Sequence, residues 1–212
     1  FASVFSAAIS GMEVHLIKVE ADVSDGLPSF TMVGLPSTQV KEAQDRVRTA
    51  LKNNGIALPP KRITVNLAPA DIRKEGAGSD LPLAAAVLAA AGVLSAEQLG
   101  NVMMAGEIGL NGEIHAVSGI LPMIIRAREE KCRFCVVPYD NLKEAHLIPD
   151  MKVIGVADLQ EMIRYVSAPD SYKKAVETGK KSPQENSVDF CEIHGQESLK
   201  RAVEIAVSGF HN

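Results

Sequence analysis

The hydrophobic residues of this chain change period twice within its first seventy positions, which restricts it to folds that interleave strands with helices. From residue 14 to residue 23, apolar side chains fall at nearly alternate places (Val14, Leu16, Val19, Ala21, Val23), as a strand with one covered face requires. Residues 4–9 are the expected hairpin partner across Gly11, and residues 30–33 form a short strand ending at Gly34-Leu35-Pro36. From Ser37 the step lengthens. Val40, Ala43, Val47, Ala50 and Leu51 share one helix face, and Gly55 stops the helix. Alternation returns at residues 62–67, with Ile63, Val65 and Leu67 on one side.

Further along, Asp80 is placed to cap a helix of small residues over 81–91, with Pro82 tolerable in its first turn. Residues 102–105 and 114–117 read as two strands joined around Asn111-Gly112, a dipeptide that accepts positive φ at both places. A helix (120–130), a strand (134–137), a short helix (142–147), a strand (152–156) and a helix (159–166) complete an α/β domain over residues 1–167. Its fold class is a mixed sheet with packed helices. Composition then shifts to a polar linker at 168–187. Within 188–212 a new amphipathic helix, 198–207, has little to pack against unless a second domain supplies it, so the chain reads as truncated.

At 212 residues, 46% of them hydrophobic, such a chain buries a core without disulfides or metal. Its net charge of −4 gives no global sign of nucleic-acid or membrane affinity. No apolar run reaches the ~18 residues of a membrane span, nothing reads as a signal peptide, and three cysteines make no disulfide framework. A cytoplasmic location is the simplest inference. One stretch departs from the acidic balance. Between Lys41 and Glu75, eight Lys and Arg face four Asp and Glu. That excess suits a solvated helix surface, or contact with DNA or a neighbouring subunit through Lys41, Arg48, Lys52 and Lys61.

Three motifs are more specific. The first is Lys61-Arg62-Ile63-Thr64-Val65-Asn66-Leu67-Ala68-Pro69-Ala70-Asp71-Ile72-Arg73-Lys74-Glu75-Gly76, resuming at Asp80-Leu81-Pro82-Leu83-Ala84. The second is Gly106-Glu107-Ile108-Gly109-Leu110-Asn111-Gly112-Glu113-Ile114, followed by Val117-Ser118-Gly119. The third is Asp189-Phe190-Cys191-Glu192-Ile193-His194-Gly195-Gln196-Glu197, continuing to His211-Asn212. In this order they resemble the ComM/YifB-type magnesium-chelatase-like AAA+ ATPase family, and the second also resembles the protease domain of Lon. The resemblance implies a Lon-protease-like domain over 1–167 and, at 188–212, a short helical tail from the start of an AAA+ module. It also implies that the full-length protein is a hexameric, DNA-processing motor using ATP and Mg, a branch-migration helicase in natural transformation and recombination. The implied partners are its own AAA+ module, further copies of the chain and DNA, with no membrane.

A Lon-type peptidase needs a Ser nucleophile and a Lys that accepts its proton. Setting Lys74-Glu75-Gly76 on the Lon pattern puts Gly78 at the nucleophile position, with Ser79 one residue late. The Lys position of Lon falls on Leu121 in Gly119-Ile120-Leu121. No catalytic residue is expected, and Asp80 beside the site would repel an oxyanion. Nor does any Gly-x-x-x-x-Gly-Lys-Ser/Thr loop occur, so no cofactor is expected in these 212 residues. Ile193, Gly195 and Gln196 would be the remnant of an adenine pocket. Two other readings stay open: a Ser-dependent peptidase using Ser79, and a magnesium-chelatase ATPase subunit, against which a Lon-like front domain argues.

Smaller signals point to structure. Cys132-Arg133-Phe134-Cys135 lacks a second pair for zinc and leads into an apolar strand rather than a helix. The five His show no metal-ligand spacing. Gly34-Leu35-Pro36 reads as a strand-to-helix connection before it reads as an anion site.

Overall fold

Alternating apolar side chains build the centre of the chain as a seven-stranded sheet. In this computed structural model, residues 1–11, 13–72, 77–172 and 195–208 are described. The strands are β1 (Ala2–Ser10), β2 (Glu13–Ser24), β3 (Ser29–Val33), β4 (Arg62–Ala68), β5 (Val102–Met104), β6 (Glu107–Ile108), β7 (Ile114–His115), β8 (Phe134–Pro138) and β9 (Val153–Val156). The helices are α1 (Thr38–Asn53), α2 (Asp80–Ala90), α3 (Ile120–Glu129), α4 (Leu142–Ala145), α5 (Leu159–Ser167) and α6 (Glu197–Ser208). Strand order in the main sheet is β3-β4-β2-β1-β5-β8-β9. The β1–β2 and β2–β4 pairings are antiparallel, and the rest are parallel.

Two apolar clusters sandwich this sheet. On one face α1, α2 and α5 pack against Val4, Ile17, Val19, Ala21, Val65 and Leu67. On the other, α3 and α4 pack against Ala7, Met103, Cys135 and Val137. The α1 residues expected on one face, Val40, Ala43, Val47, Ala50 and Leu51, are all buried, and the Ser37 hydroxyl accepts the Val40 N–H at 3.4 Å as an N-cap. Helix α2 is buried from Asp80 through Ala89. Its alanines keep it thin enough to lie between α1 and the sheet strands β1 and β2.

Two expectations fail here for physical reasons. Residues 102–105 do not form a hairpin with 114–117. The apolar run Val102–Met104 is fully buried and enters the sheet as a central strand between β1 and β8, where a continuous apolar segment belongs. The hairpin is instead β6 with β7, in register Glu107↔His115 and Ile108↔Ile114. Its turn is closed by Gly112 N–H donating to the Gly109 carbonyl at 2.8 Å, and only Gly112 (φ +92°) takes the left-handed region, not Asn111. Secondly, Asp80 does not cap α2. Its carboxylate makes no cap hydrogen bond and is drawn inward by a stronger partner, as described below.

The chain divides into two compact units, Phe1–Lys174 and Ala175–Asn212. Of the linker expected at 168–187, residues 168–172 belong to the first unit. There Pro169–Ser171 makes a single 3₁₀ turn, and Tyr172 meets the Tyr165 ring edge-on at 5.1 Å between centroids. Residues 173–187 lie outside the described residues. In the second unit α6 exposes Leu199 and Ile205. Among the described residues no helix is long and apolar enough to cross a membrane.

Candidate functional site

The turn that opens α2 is pinned from two sides. Asp80 is fully buried, and Arg46 reaches it from α1 as a fork, Nε to Oδ2 at 2.8 Å and Nη2 to Oδ1 at 2.9 Å. The Ile108 N–H donates to the same Oδ2 at 3.2 Å. A planar guanidinium matches both carboxylate oxygens at once, which an ammonium cannot do. Burial pushes the Asp80 carboxyl up from its ordinary value, while Arg46 and the Ile108 N–H pull it back; the bond to Asp80 drives the Arg46 guanidinium up. From the other side, the Gly106 N–H donates to the Gly78 carbonyl at 3.0 Å, and the Gly106 carbonyl accepts from Leu81 N–H at 3.0 Å. A Cβ on Gly106 would lie 3.1 Å from Ile114 Cγ2 and 3.2 Å from Leu81 Cδ2. A side chain there would fit only if Ile114 and Leu81 gave way by a few tenths of an ångström, so the entry to β6 sits close against the helix start.

Beside this turn lies a cavity of about 360 Å³. Strand β1 lines it with Ala7, Ala8 and Ile9, the pinned turn with Gly78 and Ser79, β6 with Glu107, and the far wall with Ser118 and Met123. Among the described residues, polar side chains reach it only from Ser79, Glu107 and Ser118. Among the described residues lining it there is no amine and no imidazole to take a proton from a hydroxyl. Asp80 is not among the lining residues and is neutralised by Arg46, so the repulsion expected from it is removed by the salt bridge.

Residues 19–141 match the family described as subunit ChlI of Mg-chelatase. Over its full length the chain is 40% identical to the competence protein ComM of Haemophilus influenzae, covering 42% of that protein. It is 39% identical to YifB of Escherichia coli over 99% of the chain, covering 41% of that protein. The chain belongs to this ChlI-like, ComM/YifB family. Lon protease 2 of Bacillus subtilis is 27% identical over 59% of the chain and 22% of that protein, in keeping with a Lon-protease-like α/β domain in the first unit. The chain spans about two fifths of the length of the ComM and YifB proteins it matches.

Within the family frame, Gly78 lies on the cavity wall. A Cβ built there would meet Val117 only at 3.9 Å, ordinary contact distance. Leu121 is the second residue of α3, and its backbone N–H donates to Glu144 Oε1 at 3.1 Å. The α3 side chain that lines the cavity is Met123, which also belongs to the second apolar cluster. Lys74 lies outside the described residues, as does Ile193. Gly195 (φ +77°) and Gln196 (φ +59°) precede α6, where the Gln196 carbonyl accepts from Lys200 N–H at 3.0 Å.

The four basic candidates are all exposed. Lys41 stands in the first turn of α1. Arg48, Lys52 and Lys61 border one recess at its other end, and Lys61 pairs with Asp25 at 2.9 Å, holding that carboxyl below its usual range. Cys132 and Cys135 are buried free thiols. Burial pushes Cys132 up to about 11 and Cys135 higher still. Sequence reasoning missed Arg46 and Glu107. Glu107 had a signal, its place inside the Gly106-Glu107-Ile108 motif. Arg46 had none, because its partner lies thirty-four positions away.

Proposed function

We propose that this chain is a non-catalytic front part of a DNA-processing ATPase of the ComM/YifB type. The observation that carries the reading is the cavity beside α2. The motif alignment assigns Gly78, on its wall, to the nucleophile position of Lon, and its described lining offers the neighbouring Ser79 no base. The name of the H. influenzae relative, a competence protein, supports a role in handling DNA. ATP and Mg would be bound by sequence beyond these 212 residues, because no phosphate-binding loop occurs here. Ile193, Gly195 and Gln196 would contribute at most the edge of an adenine pocket. Further copies of the chain, the ATPase module and DNA are the proposed partners, and the cytoplasm is the proposed location.

Two assays on the full-length protein test this. Turnover of a fluorogenic peptide should be absent, and activity lost on Ser79→Ala or Lys74→Ala would overturn the non-catalytic reading. Affinity for DNA should fall, with a shallower salt dependence, when Lys41, Arg48, Lys52 and Lys61 are changed to Glu. Unchanged affinity and salt slope would remove this surface from DNA contact.

A further inference from the structure

Where α1 ends, the chain forms a recess of about 380 Å³ between that helix, the start of β3 and the segment leading into β4. Its floor is hydrocarbon, made of Phe30, Leu58 and Pro59 among others. The Phe30 ring is half-buried and braced against the core, so its position is set by the fold. The rim is cationic. Arg48 and Lys52 stand one helical turn apart on α1, and neither has an ion-pair partner among the described residues. Lys61 completes the rim, and its only ion-pair partner among the described residues, Asp25, is almost wholly solvent-exposed. Among the described residues no acidic side chain lines the recess.

We propose that this recess receives one nucleotide of a single DNA strand, with the base against Phe30 and Pro59 and the flanking phosphates at Arg48, Lys52 and Lys61. The proposal rests on the DNA reading above and deepens it by naming the strand form. A phenyl ring offers a flat face on which any base can stack, and the puckered proline ring beside it adds a rigid apolar contact. Duplex DNA keeps those faces stacked, so only an unstacked base can enter. The cations then meet phosphate oxygens, which fixes the strand without reading its sequence. An acidic peptide of aliphatic side chains would satisfy the rim, but it would offer the Phe30 ring no π-face to stack on.

The test uses the full-length protein with labelled oligo-dT, a blunt duplex and a Glu/Leu peptide, titrated by fluorescence anisotropy over a range of salt. Phe30→Leu keeps apolar bulk but removes the ring. It should weaken oligo-dT binding about tenfold and leave the duplex unchanged. Arg48→Gln with Lys52→Gln should weaken oligo-dT binding and reduce its salt slope by about 1.4. An oligo-dT carrying 5-iodo-deoxyuridine should photocross-link to the peptide containing Phe30, a readout independent of any change in folding. If the charge variant weakens DNA binding while Phe30→Leu does not and the cross-link maps elsewhere, the base pocket is wrong although the DNA surface stands. If the wild-type protein binds neither DNA, the wider reading fails as well. Binding of the Glu/Leu peptide alone, sensitive to Phe30→Leu, would reassign the recess to a protein partner.

Discussion

Two glycines of this chain look alike in the sequence and differ at the scale of single atoms. Gly34 has φ +94°, and a Cβ there would lie 2.2 Å from the Leu67 carbonyl oxygen of β4, a backbone atom that cannot move aside. Gly34→Ala should therefore cost about 2–4 kcal/mol of stability in urea unfolding. Gly78 has open space and no left-handed requirement. Gly78→Ser should stay within about 0.5 kcal/mol of wild type. The Arg46–Asp80 pair makes a charge prediction. Arg46→Met leaves a buried carboxylate with only the Ile108 N–H, and should cost about 2–4 kcal/mol at neutral pH, discounted because Arg46 is partly exposed. The folded-state pKa of Asp80, already raised by burial, would rise further, while the unfolded chain keeps about 3.9. A carboxyl raised on folding loses stability as pH climbs above the unfolded value. The deficit of Arg46→Met should thus be small near about pH 4 and full at neutral pH. Urea midpoints measured across that range check it, and a deficit flat in pH would rule out the charge explanation.

At the scale of elements, periodicity made α1, β2 and β4 legible, because Val47, Val19 and Val65 each sit at the spacing their element demands and each is fully buried. What stayed illegible depended on partners distant in sequence. Strand β5 looked like half a hairpin because Asn111-Gly112 follows it, but its apolar run was the better signal for a central strand. The hairpin tip is held by groups no local pattern announces. Asn53 Nδ2 donates to the Leu110 carbonyl at 2.8 Å and Asn54 Nδ2 to the Asn111 carbonyl at 2.9 Å, tying α1 to the Gly109–Gly112 turn. Part of the candidate site was readable, since Gly78 and Ser79 came from motif alignment. The cavity's other walls, Ala7 to Ile9 and Met123, are contributed by elements whose sequences look like ordinary core. Strand β8 carries a chemical prediction. With the Cys132 thiol pushed up to about 11 and Cys135 higher, both are almost wholly protonated at pH 8. Labelling of these two by iodoacetamide in the native protein should be slower than in denaturant by on the order of a hundredfold. Fast native labelling mapped to either residue would mean that β8 is not packed as described.

For the whole molecule, the question is where the first unit stops being self-sufficient. Among the described residues every member of both apolar clusters lies at or before Tyr172, so a chain ending after Lys174 keeps all of them. A chain ending after Ser167 does not. It loses Tyr172 from the first cluster together with its edge-on contact with Tyr165. It also loses the Ala168 and Asp170 groups that tie the terminus down: Ala168 N–H bonds the Arg164 carbonyl at 3.1 Å, and Asp170 pairs with Lys152 at 2.7 Å. Asp170 is fully exposed, so that ion pair adds little and the aromatic contact dominates. The shorter chain should therefore unfold at lower urea than the chain ending at Lys174, by about 1–2 kcal/mol, with both transitions remaining cooperative. Equal midpoints would place the boundary of the Lon-like domain at the end of α5 and leave Tyr165–Tyr172 without a structural role. If Tyr172→Ala in the longer chain lowers the midpoint as far as the truncation does, the boundary is assigned to that ring.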